Sequence, residues 1–242
     1  MKRQNRIIIK RSRVSYPKIF CAADSDNFDT ITTLASAVEQ GQAGLKLGLQ
    51  FFNRFGPEGV AKIQKSAPDL PIFLDLKYYD IPNTVAGAVK SVLQVVQPAF
   101  INVHASGGQE MMERAVEAAD GRSKVLAVTI LTSFDQQGFE KAGYAGAIAG
   151  RVNALAQLAK KSGMDGVVCS PHEVALLRET CGDDFILMVP GIRPEGSAKD
   201  DQKRVMTPKD AIEAGASHLV IGRPITQAPD PVAAISEIYK TL

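Results

Sequence analysis

Eight short apolar runs recur along this chain, and each is followed by a stretch carrying helical start and stop signals. The runs are IFCAAD (19–24), AGLKLG (43–48), PIFLDLK (71–77), FINVH (100–104), KVLAVTIL (124–131), DGVVCS (165–170), FILMVPG (185–191) and HLVIG (218–222). They are nearly continuous rather than alternating in polarity, the pattern of strands buried on both faces of a parallel sheet. Between them, Asn27 or Asp26 can cap FDTITTLASAVEQ, which Gly41 can end, and Pro57 fits the first turn of PEGVAKIQKSA. Pro82 opens PNTVAGAVKSVLQVV and Pro98 stops it. The segments GGQEMMERAVEAAD, AIAGRVNALAQLAKKSG, PHEVALLRETCG, TPKDAIEAGA and DPVAAISEIYKTL continue the series. Eight strand–helix units in about 225 residues predict an α/β chain folded as a single-domain (β/α)8 TIM barrel, ahead of a doubly wound open sheet.

Charge is unevenly spread. Lys2, Arg3, Arg6, Lys10, Arg11 and Arg13 precede every acidic residue, and the net +2 becomes −4 once those six are set aside. A basic tail can attract nucleic acid or an anionic membrane surface. The plainer expectation is an extension, residues 1–18, attached to a barrel domain of residues 19–242, with no nucleic-acid or membrane partner. MKRQNRIIIKRSR lacks the long apolar centre and cleavage site of a secretory signal. No apolar run approaches the roughly 20 residues that span a bilayer. Cys21, Cys169 and Cys181 are odd in number and form no CxxC pair, which suits a reducing compartment and offers no zinc site. The expected location is the cytoplasm.

In such a barrel, ligands sit at the C-terminal ends of the strands. Polar residues collect there: Asp24 ends the first run, Lys46 lies in the second, Asp75 and Lys77 in the third, and Thr132 and Ser133 follow the fifth. Residues two apart on a strand share a face, so Asp75 and Lys77 should point together, with Lys46 approaching from the neighbouring strand. Asp80 falls on the loop beyond. Alternating Asp and Lys charges keep one another ionised despite burial. Such a network stabilises a fold weakly, because desolvation can exceed the Coulombic gain, so four charges at a barrel mouth indicate chemistry more than scaffolding. Arg193 follows the seventh run within PGIRPEGSAKDDQKR, a polar loop long enough for a binding loop or lid, which carries Gln202. Gly222 and Arg223 follow the eighth run, where backbone N–H groups and a guanidinium can hold a phosphate.

FLDLKYYDIPNTV resembles the DxKxxD motif of the orotidine 5′-phosphate decarboxylases, and PGIRP, DQKRVMTP and LVIGRPIT are similar to that family's other blocks, in order. The resemblance runs from about Ile19 to the C-terminus. It implies decarboxylation of orotidine monophosphate to UMP and carbon dioxide, with no cofactor and no metal. It further implies that Lys77 protonates C6 of the pyrimidine and that Asp75 lies beside the departing carboxylate. Lys46 would hold the network and a ribose hydroxyl, and Asp24 would bind ribose. Thr132, Arg193, Gln202, Gly222 and Arg223 match positions that bind the base or phosphate. Asp80 and Thr84 match residues reaching into a partner's site, so a homodimer is implied.

Two rival readings have distinct signatures. A sugar-phosphate decarboxylase or aldolase sharing the DxKxxD strand would need a divalent metal, and the Gln202 loop and DIPNT argue against it. A catalytically silent barrel that recruits nucleic acid through its tail conflicts with the intact Lys46, Asp75, Lys77 and Asp80 set. Among the histidines, only His104 falls near the expected site, and packing suits it better than catalysis. His172 and His218 read as structural. Met111, Met112, Phe51, Phe52 and Phe55 read as core.

Overall fold

The series of strand–helix units closes on itself. A computed structural model describes residues 16–194 and 206–242. In it, β1 (Ile19–Ala23), β2 (Gly44–Leu47), β3 (Ile72–Tyr78), β4 (Phe100–His104), β5 (Lys124–Val128), β6 (Gly166–Val168), β7 (Ile186–Val189) and β8 (His218–Ile221) pair in parallel in chain order. β8 pairs back onto β1, closing a TIM barrel. The basic residues of the expected extension, Lys2 to Arg13, lie outside the described residues.

The outer layer comprises α1 (Phe28–Gln40), α2 (Leu49–Ser66), α3 (Pro82–Val95), α4 (Gln109–Ala119), α5 (Gln136–Lys141), α6 (Ile148–Lys161), α7 (Val174–Cys181), α8 (Pro208–Glu213), α9 (Arg223–Thr226) and α10 (Pro231–Tyr239). The Asn27 side chain caps α1 by accepting from the Thr30 N–H at 3.0 Å. α2 differs from the expected helix, which began at Pro57. Its helical turns start at Leu49, break at Gly56 (φ +62°, ψ −167°) and resume with Pro57. Glycine reaches that geometry without a Cβ penalty, and proline has no N–H to contribute to the interrupted ladder. β5 ends at Val128 rather than Leu131, so Thr132 lies further into the following loop than the apolar run implies.

Strand alternation sorts side chains into two cores. One set packs outward against the helices, as Ile19, Cys21, Leu45, Leu47, Leu74, Ile101 and Val103 do. The other fills the barrel interior: Phe20, Phe73, Phe100, Leu126, Val128, Val168, Met188 and Val220. Phe20, Phe73 and Phe100 meet edge to face with centroids 5.4–6.4 Å apart. Each buried ring contributes about 1.5–3 kcal/mol. Below them Tyr16 stacks obliquely on Phe100 at 4.8 Å, and the Pro17 carbonyl meets His218 Nδ1 at 2.8 Å. This aromatic layer seals the floor. Two residues further along their strands, where the next interior layer must lie, stand Asp75 above Phe73 and Asn102 above Phe100.

Candidate active site

Four charged side chains meet over the aromatic layer. Asp75 Oδ1 accepts from Lys77 Nζ at 2.7 Å, while Asp75 Oδ2 lies 3.4 Å from Lys46 Nζ. Lys46 Nζ in turn lies 3.5 Å from Asp24 Oδ1. The result is an Asp24–Lys46–Asp75–Lys77 chain across the C-terminal ends of β1, β2 and β3, in which Asp24 takes the fourth place and Asp80, which the sequence grouped with Lys46, Asp75 and Lys77, has no part. Register explains the placement of its first three members, since Ala22 pairs with Lys46 and Lys46 pairs with Phe73.

Asn102, which sequence reasoning did not single out, completes the cluster. It is fully buried; its Nδ2 donates to Asp75 Oδ1 at 2.7 Å and its Oδ1 accepts from the Lys77 backbone N–H at 2.7 Å. The β3–β4 register shifts there: Leu74 pairs with Ile101 and Tyr78 with Val103, so Asp75, Leu76 and Lys77 all oppose Asn102. Bulges at barrel rims re-aim side chains in this way. Lys77 adopts φ +50°, a left-handed conformation costing a non-glycine residue about 1–3 kcal/mol. The amide of Asn102 supplies the hydrogen bond that the displaced backbone N–H requires.

Burial would raise the Asp75 pKa, but Lys46, Lys77 and the Asn102 amide outweigh it and hold the carboxyl below its ordinary value. It is therefore an anion at neutral pH. His104, half-buried with its ring 5.7 Å from Tyr79, is pushed down by burial and by Lys77, so it is neutral there. Burial pushes the Cys21 thiol up to about 12, leaving it protonated.

The charged chain opens into a cavity of about 1110 Å³. Thr132, Arg193, Gly222 and Arg223 line it along with Asp24, Lys46, Asp75 and Lys77. Arg193 is buried, and its Nη1 donates to the Ile192 carbonyl at 2.9 Å. Gln202 lies outside the described residues. Asp80 and Thr84 are exposed and do not line the cavity of their own chain. Asp80 Oδ1 instead accepts from the Ile81 N–H at 2.6 Å. Tyr79 and Ile81 beside it are 62% and 66% exposed, so the β3–α3 loop presents apolar surface around its carboxylate.

Such a cavity can hold a fixed ammonium against an anionic group while cationic and backbone groups across the mouth bind a second anion. Among the described residues, no group of three or more His, Cys, Asp or Glu side chains is arranged to hold a metal ion.

The chain matches the family model described as orotidine 5′-phosphate decarboxylase / HUMPS family over residues 17–238. The orotidine 5′-phosphate decarboxylase of Rhodospirillum rubrum is 48% identical over 224 residues, covering 89% of this chain and 90% of that protein. The enzyme of that name from Novosphingobium aromaticivorans is 48% identical over 224 residues, 93% of this chain and 98% of its own. The crystal structure of orotidine 5′-phosphate decarboxylase from Lactobacillus acidophilus superposes with a TM-score of 0.80 at 37% identity, covering 92% of this chain and 97% of that one.

Proposed function

The chain belongs to the orotidine 5′-phosphate decarboxylase family, and from that premise we propose a cofactor-free mechanism in which Lys77 protonates the reacting carbon. The enzyme decarboxylates orotidine 5′-phosphate to UMP and carbon dioxide, in pyrimidine biosynthesis. The observation that carries the mechanism is the Lys77 ammonium held 2.7 Å from Asp75 Oδ1, beside Lys46, at the cavity floor.

Breaking the C6–carboxylate bond leaves its electron pair on C6 in the ring plane, where the π system delocalises it poorly. The stabilising charge must therefore come from the protein. Lys77 supplies it already oriented, so little reorganisation is needed as charge develops. Carbon dioxide departs, one N–H proton of Lys77 passes to C6, and the neutral amine recovers a proton from solvent. Asp75 stands beside the departing carboxylate and fixes Lys77; its repulsion of the substrate anion is an added contribution. At the top of the usual range enzymes lower barriers by about 23 kcal/mol, and a carbanion without a sink requires much of that. Binding energy from the remote phosphate helps supply it.

Lys46 and Asp24 hold ribose hydroxyls. Thr132, Arg193, Gln202, Gly222 and Arg223 hold the base and phosphate. The exposure of Asp80 and Thr84, amid the apolar Tyr79 and Ile81, supports their entry into a partner's site in a homodimer. Residues 19–242 are the catalytic barrel and 1–18 an extension to it, in a cytoplasmic enzyme. No described helix is long and apolar enough to cross a membrane.

The reading is tested by incubating chelator-treated protein with orotidine 5′-phosphate and following the orotate absorbance. Turnover undiminished by the chelator is expected. Activity restored only by a divalent metal, or confined to sugar phosphates, would overturn it.

A further inference from the structure

We infer that Asn102 is a positioning residue of the decarboxylation reaction, a two-sided clamp that sets the Asp75 carboxylate and the Lys77 backbone in their working arrangement. The inference rests on the proposed role of Lys77. Asn102 does not line the cavity, so it acts through its neighbours. Its amide spends one donor on Asp75 Oδ1 and its acceptor on the Lys77 N–H, both at 2.7 Å and both inside the barrel.

Three observations set this apart from an ordinary satisfied core amide. The bonds join the two residues whose separation fixes the ammonium. The backbone N–H it holds belongs to Lys77, whose left-handed φ of +50° needs outside support. With Asn102 Nδ2 and Lys77 Nζ both donating to Asp75 Oδ1, the other oxygen, Oδ2, is turned to Lys46 at 3.4 Å. An apolar residue at 102 would leave the Lys77 N–H without its acceptor and free the carboxylate to rotate, loosening both ion pairs at once.

Kinetics should separate positioning from packing. Asn102→Ala is expected to lower kcat about 10- to 100-fold, the worth of a hydrogen bond to a charged group, with little change in KM for orotidine 5′-phosphate. The acid limb of its pH–rate profile should move upward, because Asp75 loses one of the partners that keep it ionised. The other charged and titratable groups facing Asp75 are the same in variant and parent: Lys46 from β2, with Asp24 behind it, Lys77 on β3, and His104 on β4.

Asn102→Asp is nearly isosteric and gives the sharper readout. As an anion it keeps an acceptor for the Lys77 N–H but opposes Asp75. Protonated, it donates to Asp75 Oδ1 as the amide did. Its kcat relative to the parent should therefore rise as pH falls from about 8 to about 5. Equal kcat in Asn102→Ala and parent, or a loss in Asn102→Asp that does not vary with pH, would overturn the inference. Loss of the fold in both variants would do so too, assigning Asn102 to packing alone. A folded parent that leaves orotidine 5′-phosphate intact would instead sink the decarboxylase reading itself.

Discussion

Asp75 is the one residue that touches every other member of the charged cluster's inner part, so Asp75→Asn is the most informative perturbation. The variant keeps shape and volume but removes the carboxylate from Lys77 at 2.7 Å and Lys46 at 3.4 Å. Each pairing amounts to about 5–6 kcal/mol of gross attraction in an effective dielectric of about 20. Desolvation offsets much of this, and removing one partner of a buried pair costs about 3–5 kcal/mol net. For a chain of this size that lowers Tm by about 6–20 °C. Binding should change in the opposite sense. A carboxylate about 4 Å from Asp75 meets up to about 4 kcal/mol of repulsion, which Lys46 and Lys77 reduce, so a nucleotide with an anionic group at C6 should bind the variant at least about tenfold more tightly. UMP, lacking that charge, should not.

Thermal melts and calorimetric titration with the two nucleotides measure both effects. The Asp75 carboxyl is held below its ordinary 3.8, so its stabilisation is fully present above that value and lost as pH falls through the lower folded value. The Tm gap between parent and variant should accordingly hold from pH 8 to pH 5 and close only in stronger acid. A Tm within about 2 °C of the parent, with equal affinity for the C6 anion, would refute both the stabilising role and the repulsion.

Gly48→Ala would place a methyl 2.7 Å from Asp24 Oδ1 and 3.1 Å from Lys46 Nζ. The half-exposed Asp24 can swing aside, so steady-state kinetics should show a folded enzyme whose KM rises about tenfold through loss of a charged hydrogen bond to ribose. Mixing Lys77→Ala with Asp80→Ala should regenerate activity that neither variant has alone, because a hybrid dimer holds one intact site; an inactive mixture of exchanging subunits would contradict the shared site. Burial holds His104 and His218 below their ordinary 6.5, so the unfolded chain takes up protons first as pH falls past that value. Unfolding free energies from urea titrations should drop between pH 7.5 and 5.5, by at most about 1.4 kcal/mol per pH unit for each histidine, and His218→Asn should flatten the slope.

The barrel is legible in the sequence because strands buried on both faces need unbroken apolar runs, and those runs end within about three residues of the observed strands. The same logic exposes Asp75 and Lys46, charges inside runs that have no structural use for them. Asn102 carries a weaker form of that signal. It interrupts FINVH with a neutral polar group that a core can satisfy, so nothing in the run distinguishes a clamp from packing. The bulge is not legible at all. Period-two alternation places Asp75 and Lys77 on one face, but their meeting depends on a register shift and a left-handed lysine that only tertiary pairing with β4 imposes. The early start of α2 is hidden for a related reason: Gly56 and Pro57 read as a helix boundary, whereas helical turns pack on both sides of them. Asp80 and Thr84 stand exposed, where a single chain gives them no ligand to touch.

The central claim is that Lys77 both stabilises the developing carbanion and protonates it. The measurement that tests it most directly is kcat for Lys77→Ala, made on protein shown by thermal melting and UMP binding to be folded. Loss of a preorganised charge and of a general acid together predicts a fall of at least about 10⁴-fold. A variant that folds, binds UMP and retains kcat within about tenfold of the parent would contradict the account.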